Sequence, residues 1–244
     1  VAPVAPAAPA ASAAHQPGGP GPAGRPSPTG QADRVRERLA ARAQGMTPET
    51  LFTELAARSD PDLVVVEESP SSREALQLLV PTRQPLGFLS AAMGGLGFGL
   101  PAAIGIRMAR PDRPVVGVIG DGSSIYCIQA LWTAAQYGVG VVIFVMNNGR
   151  YLVMDQMTAR RGKVPWPSLE TARIDRLAEA FGVPAVRVAT PEHLVEVLDE
   201  IMPGLRDRDQ PLVVEVQLDP AQVEPSPADA VPTNADAVPT NTVP

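Results

Sequence analysis

Two apolar runs, Pro114 to Ile119 (PVVGVI) and Gly140 to Met146 (GVVIFVM), end in Gly120-Asp121-Gly122 and in Asn147-Asn148. Runs of this length, rich in Val and Ile and without polar alternation, predict buried strands. Between them, Ser123 to Tyr137 (SSIYCIQALWTAAQY) repeats its apolar positions at helical spacing, so the second strand returns parallel to the first. Each polar motif then falls at the C-terminal end of its strand, the edge at which open parallel sheets bind ligands.

The neighbouring segments fit the same architecture. Thr47-Pro48-Glu49 supplies a capping hydroxyl, a proline for the first helical position and an acid ahead of Leu51, Phe52 and Leu55, so a helix starts there. A strand over Leu63 to Val66, a helix over Pro70 to Leu79, a breaker from Pro81 to Pro85 and a short extended piece over Gly87 to Ser90 follow. Gly94-Gly95-Leu96-Gly97-Phe98-Gly99 then leads into a helix of small residues ending near Arg110. Further on, Ile174 to Phe181 reads as a helix, Ala185 to Val188 as a strand, Pro191 to Ile201 as a helix and Leu212 to Val216 as a strand. The expected fold class is α/β, a three-layer α/β/α arrangement with a mostly parallel sheet and helices on both faces.

The chain divides into three parts. Residues 1–45 form a Pro/Ala-rich stretch leading into a short helix, and residues 220–244 hold a Pro-rich tail in which ADAVPTN at 228–234 recurs at 235–241. Neither carries an apolar face able to offset the entropy of ordering, so both are expected to be disordered, and the prolines exclude a coiled coil from the repeat. Residues 46–219 form one expected domain, apolar enough to close a core. A net charge of −6 without a basic cluster argues against nucleic acid as partner. The single Cys127 excludes an internal disulfide and suits a reducing compartment, so a cytoplasmic location is expected; no apolar stretch of about 18 residues predicts a membrane span. The chain begins with Val, which suggests a piece of a longer polypeptide, a trimmed terminus being the alternative.

Asp121 and Asn148 are candidate ligands for Mg2+, which takes hard oxygen donors and commonly combines one or two protein groups with phosphate oxygens and water. Gly120 and Gly122 permit a sharp turn and close approach of a diphosphate to the backbone. Ser123 adds a hydroxyl, and the following helix start offers unpaired N–H groups. Either tripeptide alone reads as an ordinary turn; the two in register point to a metal and diphosphate site.

Gly120-Asp121-Gly122 with Asn148 lying 27 positions after Asp121 (148 − 121) resembles the signature of the thiamine-diphosphate-dependent decarboxylase and acetolactate synthase superfamily. Ala91 to Gly105 (AAMGGLGFGLPAAIG), Val118 to Val139 and Met146 to Tyr151 (MNNGRY) are most similar to the benzoylformate decarboxylases, and the likeness runs from about Met46 to Val216. It covers only that family's C-terminal, diphosphate-binding domain. The resemblance implies thiamine diphosphate held through Mg2+, with Asp121, Asn148 and the main-chain carbonyl of Arg150 as metal ligands. It further implies diphosphate contacts from Ser71, Ser123 and Tyr151, a carbonyl at Gly94 that accepts from the aminopyrimidine, and Leu96 wedged beneath the bent cofactor. Leu96 read without its flanking glycines is an ordinary core leucine. Val153, Met154 and Met157 match the segment lining the substrate pocket.

Two departures bear on function. Pro70 stands where the family often has a first of two adjacent hydroxyl residues, so only Ser71 remains of the pair, and Met157 stands where relatives acting on phenyl-bearing acids have an aromatic ring. An aromatic 2-oxo acid is one candidate substrate. Trp132 and Tyr137 are expected to be packing residues and Cys127 a buried one. Glu67-Glu68 reads as a solvated or capping pair, and His193 in the first turn of a late helix matches no catalytic histidine. No catalytic side chain is assigned within the chain.

What the resemblance implies for the whole is a lyase that converts a 2-oxo acid to an aldehyde and CO2 without oxidation. The glutamate that activates the cofactor belongs to a separate pyrimidine-binding domain or subunit, so the chain is expected to be nearly inactive alone, a fragment or split subunit of a homo- or hetero-oligomer. An acetolactate-synthase-like carboligase and a non-catalytic cofactor-binding or regulatory domain stand as alternatives.

Overall fold

Alternation along each strand sends side chains to opposite faces, and here both faces are apolar. The computed structural model of the protein describes residues 45–158 and 166–219. The expected linker over 1–45, apart from Gly45, and the tail over 220–244 with its repeat lie outside the described residues.

The elements in chain order are α1 (Pro48–Arg58), β1 (Val64–Glu68), α2 (Arg73–Leu79), β2 (Phe88–Ser90), a 3-10 turn (Ala92–Gly94), α3 (Gly99–Ala109), β3 (Val115–Gly120), α4 (Asp121–Tyr126) and α5 (Ala130–Gln136). They continue with β4 (Val142–Asn147), α6 (Leu152–Thr158), α7 (Ile174–Ala180), β5 (Ala185–Val188), α8 (Pro191–Ile201) and β6 (Leu212–Gln217). The six strands form one sheet in the order β2-β1-β3-β4-β6-β5, every pair parallel. The expected class is thus observed, with a sheet wholly rather than mostly parallel among the described residues.

One face of the sheet, through Val65, Val116, Val118, Phe144, Met146 and Val214, packs with Leu51, Phe52 and Leu55 of α1, Leu76 of α2 and Leu194 and Leu198 of α8. The other, through Val64, Val66, Ile119, Ile143, Val145 and Val213, packs with Leu100 and Ile104 of α3, Leu131 and Ala134 of α5 and Ile174 and Ala178 of α7. Three layers result. At the start of α1 the Thr47 hydroxyl accepts from the Thr50 amide at 3.1 Å, as the capping sequence requires.

Three expectations need correction. The helix expected over Ser123 to Tyr137 is broken: α4 ends at Tyr126, the Cys127 amide turns back to the Ser124 carbonyl at 3.3 Å, and α5 begins at Ala130. Ser124 already turns its own hydroxyl onto the Asp121 carbonyl at 2.7 Å, a side-chain bond that competes with helix continuation. Trp132 and Tyr137 are not packing residues; they are 54 % and 70 % exposed, because α5 turns Leu131 and Ala134 to the sheet. Cys127 is half-buried rather than buried. The helix α6 has no counterpart among the expected elements. Among the described residues no helix is long and apolar enough to cross a membrane.

Candidate metal and diphosphate site

At the central C-terminal edge of the sheet β3 ends on Gly120, α4 begins on the next residue, and Asp121 is carried into the interior at 3 % exposure. Its Oδ1 accepts from the Gly122 amide at 2.7 Å and its Oδ2 from the Gly149 amide at 2.8 Å. Gly149 adopts φ +72, the left-handed region that suits glycine, and its amide also donates to Asn147 Oδ1 at 3.1 Å. Asn148 Oδ1 accepts from the Arg150 amide at 3.1 Å. One glycine amide therefore joins the loop after β4 to the carboxylate after β3, and Asp121 and Asn148 belong to one cluster.

Burial pushes the Asp121 carboxyl up to about 6, against the backbone N–H groups that favour its charged form. No Lys, Arg or His among the described residues forms an ion pair with it. Each carboxylate oxygen accepts one amide and keeps lone-pair capacity for a cation. Among the described residues no group of three or more His, Cys, Asp or Glu converges as an all-protein cage. One carboxylate, one amide oxygen and backbone carbonyls are instead the donor set of a hard cation that completes its shell with phosphate oxygens and water, so the residues present fit Mg2+ and a diphosphate.

Gly122 lies under the Tyr151 ring, which a Cβ at that position would strike, with Leu169 Cδ1 at 3.1 Å from the same point. The Tyr151 phenol is raised by its burial and then by Tyr126 and Asp121, which ties the ring to the same cluster. Ser123 is buried one residue further on. Arg150 carries buried Nε and Nη2 donors without a hydrogen-bond partner. The remaining expected residues line the same sheet edge without a hydrogen bond, among the described residues, to Asp121. Ser71 is exposed in the turn between β1 and α2; Gly94 is exposed at φ +68; Leu96 is half-buried and outside both core clusters. On α6, Val153 is half-buried while Met154 and Met157 are exposed, Met157 at 71 %.

The structure also brings in residues outside the expected set. Leu169 and Ser168 return to the loop after β4, donating to the Gly149 carbonyl at 2.7 and 3.3 Å. Glu215, wholly buried in β6, accepts from the Asn147 side chain, from the Asp175 amide at 2.9 Å and from Gln217 Nε2 at 3.1 Å, and so holds the Asn147 that shares the Gly149 amide. An acid inside the apolar run Leu212 to Val216 was the available signal. Glu67 and Glu68 are not solvated: Glu67 binds Arg73, Ser90 and the Ser69 amide and caps no helix, whereas Glu68 binds the Gly97 amide and the Gly99 amide at the start of α3, so the capping part of that reading holds at Glu68 alone.

The chain matches the family model of the thiamine pyrophosphate enzyme C-terminal TPP binding domain over residues 71–216, more than half of its length. It is 38 % identical over 180 residues to benzoylformate decarboxylase of Pseudomonas aeruginosa, covering 73 % of this chain and 33 % of that protein. Over 184 residues it is 32 % identical to the acetolactate synthase isozyme 3 large subunit of Escherichia coli, covering 72 % and 31 %. Among solved structures it is similar to the thiamine diphosphate-dependent 4-hydroxybenzoylformate decarboxylase of Rhodococcus jostii, with a TM-score of 0.66, 37 % identity and coverage of 72 % of this chain and 33 % of that one. The chain thus spans about a third of the length of these relatives. The chain belongs to the thiamine pyrophosphate enzyme family and carries its C-terminal TPP binding domain.

Proposed function

We propose that the chain is the Mg2+- and diphosphate-binding part of a benzoylformate-decarboxylase-like lyase acting on a 2-oxo acid in the cytoplasm. The observation that carries this reading is the Asp121 carboxylate, buried without a counter-ion among the described residues and joined through the Gly149 amide to the Asn148 loop. Asp121, the Asn148 side-chain oxygen and the Arg150 carbonyl hold Mg2+. Ser71, Ser123 and Tyr151 bind the diphosphate, which Gly120 and Gly122 admit close to the backbone. The Gly94 carbonyl accepts from the aminopyrimidine, Leu96 supports the rings, and Val153, Met154 and Met157 border the substrate.

When bound, thiamine diphosphate supplies the sink for the electron pair left as CO2 departs. This chain's residues bind and orient; the glutamate that activates the cofactor comes from a pyrimidine-binding domain or subunit in an oligomer. Calorimetric titration with thiamine diphosphate and Mg2+ tests the reading. Mg2+-dependent binding is expected, and absence of heat both for this chain and for its mixture with a pyrimidine-domain partner would refute it.

Similarity to the acetolactate synthases favours a second reading, a carboligase that adds a second 2-oxo acid. Product analysis with the partner present separates the two: free aldehyde for the lyase, acetohydroxy acid for the carboligase.

A further inference from the structure

We propose that Glu68 is a positioning residue that fixes the 94–99 loop for the ring portion of thiamine diphosphate, an assignment that rests on the proposed function. Glu68 is the last residue of β1 and pairs in register with Ile119, one residue before Gly120, so it stands beside the strand end that carries the metal loop. It lies before the residues matched by the family model. Its side chain is buried, with the residue at 2 % exposure, and forms no ion pair among the described residues. Oε1 accepts from the Gly97 amide at 2.6 Å and Oε2 from the Gly99 amide. A buried carboxylate is costly to keep, and this one is held by two alternate amides of a single loop.

The loop is gripped from both sides. Gly99 opens α3, where an anion meets unpaired N–H groups, and its backbone lies so close to the strands that a Cβ would come within 2.6 Å of Ile119 Cδ1 and 2.7 Å of Glu68 Cβ. Gly97, at φ +95, would bring a Cβ to 2.9 Å from Cys127 Sγ at the end of α4. Beyond these two fixed points Gly94 and Gly95 are exposed, with nothing within 4 Å of their Cβ positions, so the held loop presents open backbone at the sheet edge that carries Asp121. The adjacent Glu67 is equally buried and holds other groups, the Ser69 amide at 2.6 Å, Arg73 Nε at 2.7 Å and Ser90 Oγ at 2.6 Å, which makes it an internal control.

Glu68→Gln keeps the side-chain volume but turns an NH2 group toward one of the two amides. The wild type, Glu68→Gln and Glu67→Gln are titrated with Mg2+ plus thiamine diphosphate and, separately, with Mg2+ plus inorganic pyrophosphate, and amide hydrogen exchange is followed at Gly97 and Gly99. The expected result is that the wild type binds thiamine diphosphate more tightly than pyrophosphate. Glu68→Gln should lose about tenfold in thiamine diphosphate affinity, the scale of one charge-assisted hydrogen bond, with pyrophosphate affinity unchanged and faster exchange at both glycines. Glu67→Gln should show no such ring-selective loss. Equal loss of both ligands in Glu68→Gln, no loss of either, or the same selective loss in Glu67→Gln overturns the positioning role. Wild type that binds the two probes equally, or pyrophosphate alone, overturns it while leaving the metal site standing; wild type that binds neither, alone or mixed with a pyrimidine-domain partner, overturns the proposed function and this inference with it. Should Glu68→Gln not fold, Glu68→Asp, which withdraws the oxygens by one methylene, is read against the same outcomes.

Discussion

At the N-terminal edge of the sheet the Arg107 guanidinium donates to the carbonyls of Pro111, Arg113, Arg206 and Arg208 at 2.6 to 2.9 Å, and Arg206 binds Asp60 and Asp62. At the C-terminal edge the polarity is reversed: the carboxylates of Glu68, Asp121 and Glu215 accept backbone or side-chain N–H groups. The first edge meets its cations with carbonyls and carboxylates already in the chain. The second leaves Asp121 as a buried carboxylate without a protein cation among the described residues. The electrostatically closed sheet end serves stability; the end left open at Asp121 is the one at which we propose the ligand binds.

That contrast can be broken at several points. Arg107→Ala strips hydrogen bonds from four carbonyls, and a loss of about 3 kcal/mol or more in denaturant unfolding is expected, with little change in metal affinity for whatever fraction stays folded. Asp121→Asn should do the opposite. Binding of Mg2+ with thiamine diphosphate falls by about a hundredfold or more, about 2.7 kcal/mol, while the thermal midpoint of the metal-free protein holds or rises, because burial disfavours the charge that is removed. A drop in both would erase the distinction between the edges.

Gly122→Ala sharpens it at the level of packing. The added methyl meets the Tyr151 ring, and overpacking of this kind costs on the order of 1–3 kcal/mol in unfolding measurements. Gly105→Ala, on α3 with open space at its Cβ position, should instead stabilise by about 0.5–1 kcal/mol through helix propensity. The smallest effect concerns acid. The Arg173 guanidinium holds Asp175 down to about 2, below the usual 3.8, so its contribution is complete above about pH 4 and is lost as pH falls toward 2. Thermal midpoints of wild type and Asp175→Asn followed from pH 6 to pH 2 should converge at the acid end, and curves that stay parallel would remove the pair from the stability of the β6 side.

Much of this was legible from apolar pattern and terminal chemistry. The bounds of β5 and α8 coincide with those expected from Ala185 to Val188 and Pro191 to Ile201, because a fixed capping residue, Thr190, and a proline mark the helix start. The Asp121 and Asn148 cluster was legible because both motifs end apolar strands. What escaped has a common cause: apolar spacing identifies similar residues but not which of them meets the sheet. Trp132 and Tyr137 carry the helical spacing yet are exposed, and the helix break at Cys127, with the Ser124 hydroxyl bonded to the Asp121 carbonyl, is not reported by spacing. Glu68 and Glu215 escaped because their partners are amides distant in the chain, 29 residues away for Gly97 and 40 for Asp175.

The central claim, an open cation and diphosphate site at one sheet end only, is tested most directly by amide NMR during titration with paramagnetic Mn2+ and thiamine diphosphate. Broadening is predicted first at residues 120–123 and 148–151, with Arg113 and Arg208 at the opposite edge unaffected until excess metal is present. Broadening that begins at Asp60 and Asp62, or spreads evenly over the chain, would contradict it.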